Sequence, residues 1–274
     1  MSSLGTFVWH ELVARDEKAA AAFYQKITAW GTQPFGGDQP YTLWTVRGTP
    51  IGGLTSLPAE AEAMGMPPHW LGYVAVEDVD AACAKLLELG GKVHKPTLQL
   101  PEVGDLAIVA DPQGAVFALF RASGPARAPM KRGEPGAMSW AELNTSDWES
   151  AWKFYESLFG WKKTGSMEMG EPVGTYLMFT DAKGTGDYSM GGMSNVATAM
   201  GAPPHWLFYV NVSDIDSALA QTTALGGRVL NGPMDVPGEG KIAQCIDPQG
   251  AAFALYADPS TSGSRAEAPA STKR

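Results

Sequence analysis

Cysteine is nearly missing from this chain: two residues in 274, Cys83 and Cys245. They fall at places that do not correspond in its internal repeat. A disulfide framework is therefore not expected, and a reduced, cytoplasmic setting fits better. Basic residues are few as well, 20 Lys and Arg against 29 Asp and Glu, for a net charge of −9. No Lys/Arg block stands inside the repeats. That argues against nucleic acid or an anionic membrane as partner, because both need a basic footprint. No apolar run reaches the length of about 18 residues at which a spanning helix becomes a candidate. Met1 is followed by small and polar residues, not by a basic-then-apolar secretory signal. With 45% hydrophobic and 18% charged residues the chain is globular, and it is long enough for two domains with their own cores.

What is present is a duplication. Asp111–Ala115 and Asp247–Ala251 both read DPQGA, 136 positions apart, and Pro67-Pro68-His69-Trp70 recurs as Pro203-Pro204-His205-Trp206 at the same offset. Upstream, Trp9-His10-Glu11-Leu12 matches Trp140-Ala141-Glu142-Leu143, and Phe23-Tyr24 matches Phe154-Tyr155, at an offset of 131. Each copy should build the same domain, and any site should appear twice. Residues 1–121 form the first domain and 137–257 the second. The stretch 122–136, with three prolines and three glycines, reads as a linker, and 258–274 as a disordered tail.

Each copy divides again into two halves with one order of elements. An alternating strand (7–14; 70–76) precedes a helix with an aspartate at its N-cap: Asp16, Asp78 or, in the second copy, Asp147. The first helix is expected to run through Phe23, Tyr24, Ile27 and Trp30 to Gly31, its counterpart to Gly160. Strand-like segments follow at 41–46 and 50–54, at 175–180 and 189–193, and in the second half at 92–94, 107–110 and 115–121. The order strand–helix–strand–strand–strand thus appears four times, an α+β pattern with mostly antiparallel sheet.

The Asp-capped helix with Phe-Tyr, the Leu-Gly-Gly at Leu89–Gly91 and Leu225–Gly227, and the terminal Asp-Pro-Gln-Gly-Ala-x-Phe-Ala-Leu resemble the vicinal-oxygen-chelate superfamily of glyoxalases, bleomycin-resistance proteins and extradiol dioxygenases. The resemblance covers nearly all of residues 5–257. The Trp-x-Glu-Leu opening and the Pro-x-x-Trp look like its two-domain, glyoxalase- or hydroxylase-like actinobacterial branch. It implies two βαβββ modules per domain, paired into a cup with the site inside and helices outside. It also implies metal ligands on the first strand and after the DPQGA aspartate, with matching positions on other strands. Here those positions hold Trp9 and Trp140, Leu71 and Leu207, and Ala118 and Ala254. None offers the imidazole, carboxylate or thiolate that a divalent cation needs. No metal site is expected. An open site built from displaced donors, Glu11 with His69 or Glu142 with His205, on Zn, Ni or Fe, stays an alternative.

Strand alternation separates the two faces. His10, Leu12 and Ala14 share the helix-packing face. Trp9 and Glu11, with Trp140 and Glu142, are left for the cup, joined by Tyr73 and Phe120 in one copy and Tyr209 and Tyr256 in the other. Trp44 and Phe179 are further candidates. His69 and His205 stand at the rim, as ligand contacts or as supports of the strand entry. His10 and His94 have no counterpart and read as structural and surface residues. Glu11 and Glu142 are candidate acid/base groups; equally, each carboxylate could hold a backbone amide or the Tyr73 or Tyr209 hydroxyl. The aromatic lining favours a flat organic ligand, although the same rings could simply fill the cup. Three functions stay open. One is a metal-free protein that binds or sequesters an aromatic or polyketide-type metabolite, as a monomer or homodimer. Another is a glyoxalase-like lyase or hydroxylase-like enzyme using Glu11 or Glu142. The third is a structural duplication whose second domain serves packing alone.

Overall fold

In the computed structural model residues 4–36, 41–125, 130–131, 133–184, 188–238 and 240–258 are described. The first copy contains β1 (Phe7–Ala14), α1 (Glu17–Ile27), β2 (Gly31–Pro34), β3 (Thr42–Val46), β4 (Thr49–Ser56) and a short α2 (Ala59–Ala63). Its second half follows as β5 (His69–Ala75), α3 (Val79–Glu88), β6 (Lys92–Leu100), β7 (Gly104–Ala110) and β8 (Val116–Ala122). The second copy repeats the series. It opens with β9 (Met138–Asn144), α4 (Trp148–Phe159), β10 (Lys162–Glu168), β11 (Thr175–Thr180), β12 (Gly191–Ser194) and α5 (Val196–Met200). It closes with β13 (His205–Asn211), α6 (Ile215–Ala224), β14 (Arg228–Asp235), β15 (Lys241–Ile246) and β16 (Ala252–Ala257).

Each copy forms one eight-stranded sheet, ordered β2-β3-β4-β1-β5-β8-β7-β6 and β10-β11-β12-β9-β13-β16-β15-β14. The two βαβββ modules of a sheet meet along an antiparallel seam, β1 on β5 and β9 on β13. Inside each module the first strand runs parallel to the last, and the remaining pairs are antiparallel. The fold is α+β, two tandem domains of two modules each.

All four helix-capping aspartates accept a backbone N–H from the first turn, at Ala19, Ala81, Ser150 and Ser217, worth about 1 kcal/mol each. Helix α1 stops at Ile27, short of Gly31, because the Thr28 amide and hydroxyl both bond the Tyr24 carbonyl, at 2.9 and 2.7 Å. Gly31 instead opens β2, a strand that GTQP does not announce by alternation. Gly160 does end α4, in the left-handed conformation. Strand β6 runs on to Leu100, past Pro96, by shifting register twice. The short helices α2 and α5 lack a legible period. Of the tail 258–274, all but Asp258 lies outside the described residues.

The two sheets stand back to back. Their helix-bearing faces share one hydrophobic cluster drawn from both copies. Against it Phe7 and His10 of β1 meet Phe208 of β13, ring centroids 5.3 and 4.7 Å apart. His10 is buried there, and burial lowers its pKa to about 3. Where β13 carries Phe208, β5 carries Gly72; a Cβ on Gly72 would lie 2.5 Å from the Phe208 ring. One bulky ring thus fills space that two related rings could not share.

The duplicated motifs hold this interface together reciprocally. Tyr24 donates to Asp247 and Tyr155 to Asp111, both at 3.1 Å. Gln113 accepts the Asp147 N–H and donates to the Asp147 carbonyl, both at 2.8 Å. Gln249 does the same with Asp16, at 2.9 and 2.8 Å. Trp30 donates to the Gly136 carbonyl and Trp161 to that of Gly5. Each copy therefore supplies its DPQGA loop to the capping aspartate and tyrosine of the other.

Candidate functional site: a glutamate held by two tyrosines in each cup

The faces turned away from the interface form the cups. In the first, Trp9 pairs with Tyr73, and Tyr73 with Ala118, making one row across β1, β5 and β8. The next row runs Gly53–Glu11–Leu71 across β4, β1 and β5. The second cup repeats both, as Trp140–Tyr209–Ala254 and Gly192–Glu142–Leu207. Trp9, Leu71, Tyr73 and Ala118 with Phe120, and Trp140, Leu207, Tyr209 and Ala254 with Tyr256, form a small apolar cluster of their own in each sheet.

At the centre of each cup is a hydrogen-bonded carboxylate. Glu11 accepts from the Tyr41 hydroxyl at 2.7 Å and the Tyr73 hydroxyl at 3.0 Å, and Trp9 Nε1 donates to Tyr41 at 3.1 Å. Glu142 accepts from Tyr209 at 2.9 Å, Tyr176 at 3.1 Å and the Gln244 amide at 3.2 Å, and Trp140 Nε1 donates to Tyr176 at 2.9 Å. Burial raises both carboxyl pKa values. The tyrosine donors oppose the rise in each cup, joined by the Lys95 charge in the first and by Asn144 and Gln244 in the second. The four tyrosine hydroxyls are pushed above their ordinary value by burial and the adjacent carboxylate.

Tyr41 and Tyr176 were not among the expected site residues. They stand at or just before the opening of β3 and β11 and reach over the sheet because Gly53 and Gly192 have no side chain. A Cβ on Gly53 would lie 1.8 Å from the Tyr41 hydroxyl, and one on Gly192 only 2.2 Å from the Tyr176 ring. The signal was a tyrosine repeated ahead of a repeated Gly-Gly. Gly192→Ala should expel Tyr176, strip one donor from Glu142 and cost about 1–3 kcal/mol in urea denaturation. The same change in a Tyr176→Ala background should cost far less; equal losses in both backgrounds would show that the glycine serves something other than this ring.

The remaining expected residues separate. His69 and His205 face the cup side at the start of β5 and β13, each with Nδ1 2.9 Å from a proline carbonyl, Pro67 or Pro203. Burial lowers the His69 pKa. Trp44 and Phe179 are fully buried on the opposite face, packed on Trp30 and Trp161, because the alternation of β3 and β11 turns them away from the cup. His94 is exposed.

Known proteins share this architecture. Over residues 137–255 the chain matches the model of the Glyoxalase/Bleomycin resistance protein/Dioxygenase superfamily. It is 35% identical over 254 residues to "Putative glyoxylase CFP32" of Mycobacterium tuberculosis, covering 92% of this chain and 94% of the relative. The chain belongs to the glyoxalase/bleomycin-resistance/dioxygenase superfamily. Within that superfamily it is also 28% identical over 265 residues to "Anthracycline biosynthesis protein DnrV" of Streptomyces peucetius, covering 92% of each. Among solved structures it superposes on a Mn(II)-bound glyoxalase from Novosphingobium aromaticivorans with a TM-score of 0.64 at 17% identity, covering 94% of this chain and 83% of that one. The 2,3-dioxygenase LapB from Pseudomonas sp. KL28 gives 0.59 at 11%, covering 91% and 90%. At such identities the likeness is one of fold.

A metal of the kind the Mn(II)-bound neighbour carries finds a poor donor set in this chain. Trp9, Leu71 and Ala118, and their counterparts Trp140, Leu207 and Ala254, face the cups without a ligating atom. The nearby carboxylates already accept tyrosine hydroxyls. Among the described residues no three His, Cys, Asp or Glu side chains are grouped as a metal centre requires. The residues present do not fit a metal centre of the usual kind.

Proposed function

We propose that this is a small-molecule-binding protein of the superfamily, taking an aromatic or polyketide-type metabolite into its cups without a metal, in the manner of resistance or sequestration proteins. One observation carries the reading: the same Trp–Tyr–Glu–Tyr arrangement occurs in both sheets, on the faces that the packing of the two copies does not use. Stability alone would favour apolar side chains there, since a buried carboxylate and a glycine cleared for a tyrosine both cost folding energy. Trp9, Tyr73 and Phe120, or Trp140, Tyr209 and Tyr256, supply flat surfaces for stacking. Each tyrosine hydroxyl donates to the glutamate, and the oxygens of Tyr41, Tyr176 and Tyr209 in turn accept from Trp9, Trp140 and Gln244, which fixes the ring positions around the carboxylate. His69 and His205 stand at the rim as further contacts. The relatives named for anthracycline biosynthesis agree with a ligand of this class.

The raised pKa of Glu11 and Glu142 favours a second reading, a lyase or hydroxylase-like enzyme with these groups as acid/base. Two measurements test the binding reading. Elemental analysis of the purified chain should show less than a tenth of an equivalent of Zn, Ni, Fe or Mn; about one equivalent per domain, lost in Glu11→Ala or His69→Ala, would overturn the metal-free part. Quenching of tryptophan fluorescence by polycyclic aromatic metabolites should saturate, and weaken at least tenfold in the cup that loses its tryptophan, the first in Trp9→Ala and the second in Trp140→Ala. Quenching that never saturates would count against the cups as binding sites.

A further inference from the structure

The two cups share their carboxylate but not what surrounds it. At the end of the first cup Val13 pairs with Thr55 and His69; in the second, Asn144 pairs with Ser194 and His205. Ile108, across from Ala118, is replaced by Gln244, across from Ala254, and Phe120 by Tyr256. Lys95, whose charge acts on Glu11, is replaced by Asn231. The changes from Val13 to Asn144, Ile108 to Gln244, Phe120 to Tyr256 and Lys95 to Asn231 make the second cup richer in neutral hydrogen-bonding groups.

Two of these groups are short of partners. Asn144 is 2% exposed and Ser194 fully buried, yet Asn144 Oδ1 and Ser194 Oγ make no hydrogen bond. Among the five such side-chain atoms of the described residues, these two alone are register neighbours on a cup face. The Asn144 amide nitrogen lies 3.3 Å from His205 Nε2, which orients the amide and leaves its oxygen as the acceptor. Burying two such atoms costs stability that a Val and a Thr, as in the first cup, do not forfeit to the same degree.

We infer that the cups have diverged, and that the second recognises a neutral, hydroxyl-bearing aromatic molecule whose hydroxyl is held between Asn144 and Ser194. This rests on the cups being binding sites. A hydroxyl matches the pair because it donates to Asn144 Oδ1 while accepting from Ser194 Oγ. An anionic ligand is rejected: the adjacent Glu142 is surrounded by neutral donors, and the amide oxygen repels a second acceptor. The first cup, with Val13 and Ile108, lacks this selectivity.

Isothermal titration calorimetry of the intact chain with 2-naphthol, 2-methylnaphthalene and 2-naphthoate tests this. 2-Naphthol should bind at one favoured site per chain, at least tenfold tighter than 2-methylnaphthalene, and 2-naphthoate should not bind. Asn144→Val and Ser194→Ala should each weaken 2-naphthol roughly tenfold, the scale of one hydrogen bond, without lowering the melting temperature. Trp140→Ala should abolish the site and Trp9→Ala should leave it. Equal affinity for 2-naphthol and 2-methylnaphthalene, or a site lost in Trp9→Ala and kept in Trp140→Ala, overturns the inference while the cups remain binding sites. A clear drop in melting temperature for both Asn144→Val and Ser194→Ala also overturns it, by making the pair structural. Absence of binding by all three probes overturns both the inference and the binding reading beneath it.

Discussion

Replacing Asp111 by Ala should remove about 3–5 kcal/mol of stability, among the largest single losses available in this fold. Asp111 Oδ1 accepts the backbone N–H groups of Gln113, Gly114 and Ala115 at 2.8–3.0 Å, and Oδ2 accepts the Tyr155 hydroxyl from the other copy. The side chain is 1% exposed, and its removal strands the buried Ala115 N–H and Tyr155 hydroxyl and frees the N–H groups of the turn at Gln113 and Gly114. Three of them shape the DPQGA loop, and that loop presents Gln113 to the Asp147 cap. One substitution therefore loosens a turn and an interface together. Urea denaturation measures the loss, and Tyr155→Phe removes the interface bond together with the Trp206 bond to the same hydroxyl, at about 1–2 kcal/mol. Asp247→Ala, with Gln249, Ala251 and Tyr24 as partners, should behave alike. In the double variant the unfolding transition should broaden or divide as the copies uncouple. A loss under about 1 kcal/mol for Asp111→Ala would show that the loop keeps its shape without the carboxylate.

This motif shows how far the chain could be read before its structure. Repetition of DPQGA located the duplication and the superfamily, and the alternation of β1 separated Trp9 and Glu11 from Leu12 and Ala14 correctly. What the motif does was not legible. Tyr24 bonds Asp247 and Tyr155 bonds Asp111, and because both copies carry every partner, an exchanged pairing looks the same on paper as an internal one. Tyr41 and Tyr176 escaped for another reason. They lie in the segment where the register between copies changes, and their role depends on reaching across a glycine on a neighbouring strand. Trp44 and Phe179 were harder still, since a strand start misjudged by one residue exchanges the cup face for the core. Asn144 and Ser194 follow from a pairing of β9 with β12 that only the sheet order reveals.

Glu142→Gln should weaken binding in the second cup roughly tenfold to a hundredfold while making the chain more stable at neutral pH, two effects of opposite sign from one carboxylate. Glu142 is 6% exposed, and burial holds its pKa above the ordinary 4.5 despite the tyrosine and amide donors. The native state therefore keeps this proton to a higher pH than the unfolded chain does. Between the unfolded value near 4.5 and the higher folded value, the native state binds more protons, so stability falls as pH rises through that window. Below the window the carboxyl is neutral in both states and its ionisation costs nothing. Glutamine is neutral throughout and escapes the cost. The stability difference between Glu142→Gln and the parent should thus be small or unfavourable at pH 4 and move in favour of the variant by pH 7. Glu11→Gln should show a trend of the same sign, because burial raises that carboxyl pKa too. Denaturation midpoints at both pH values, with a titration of 2-naphthol at pH 7, read the two effects together. A variant less stable than the parent at pH 7 would mean that the ionised carboxylate and its tyrosines stabilise the fold, and the case for a site maintained against stability would fall with it.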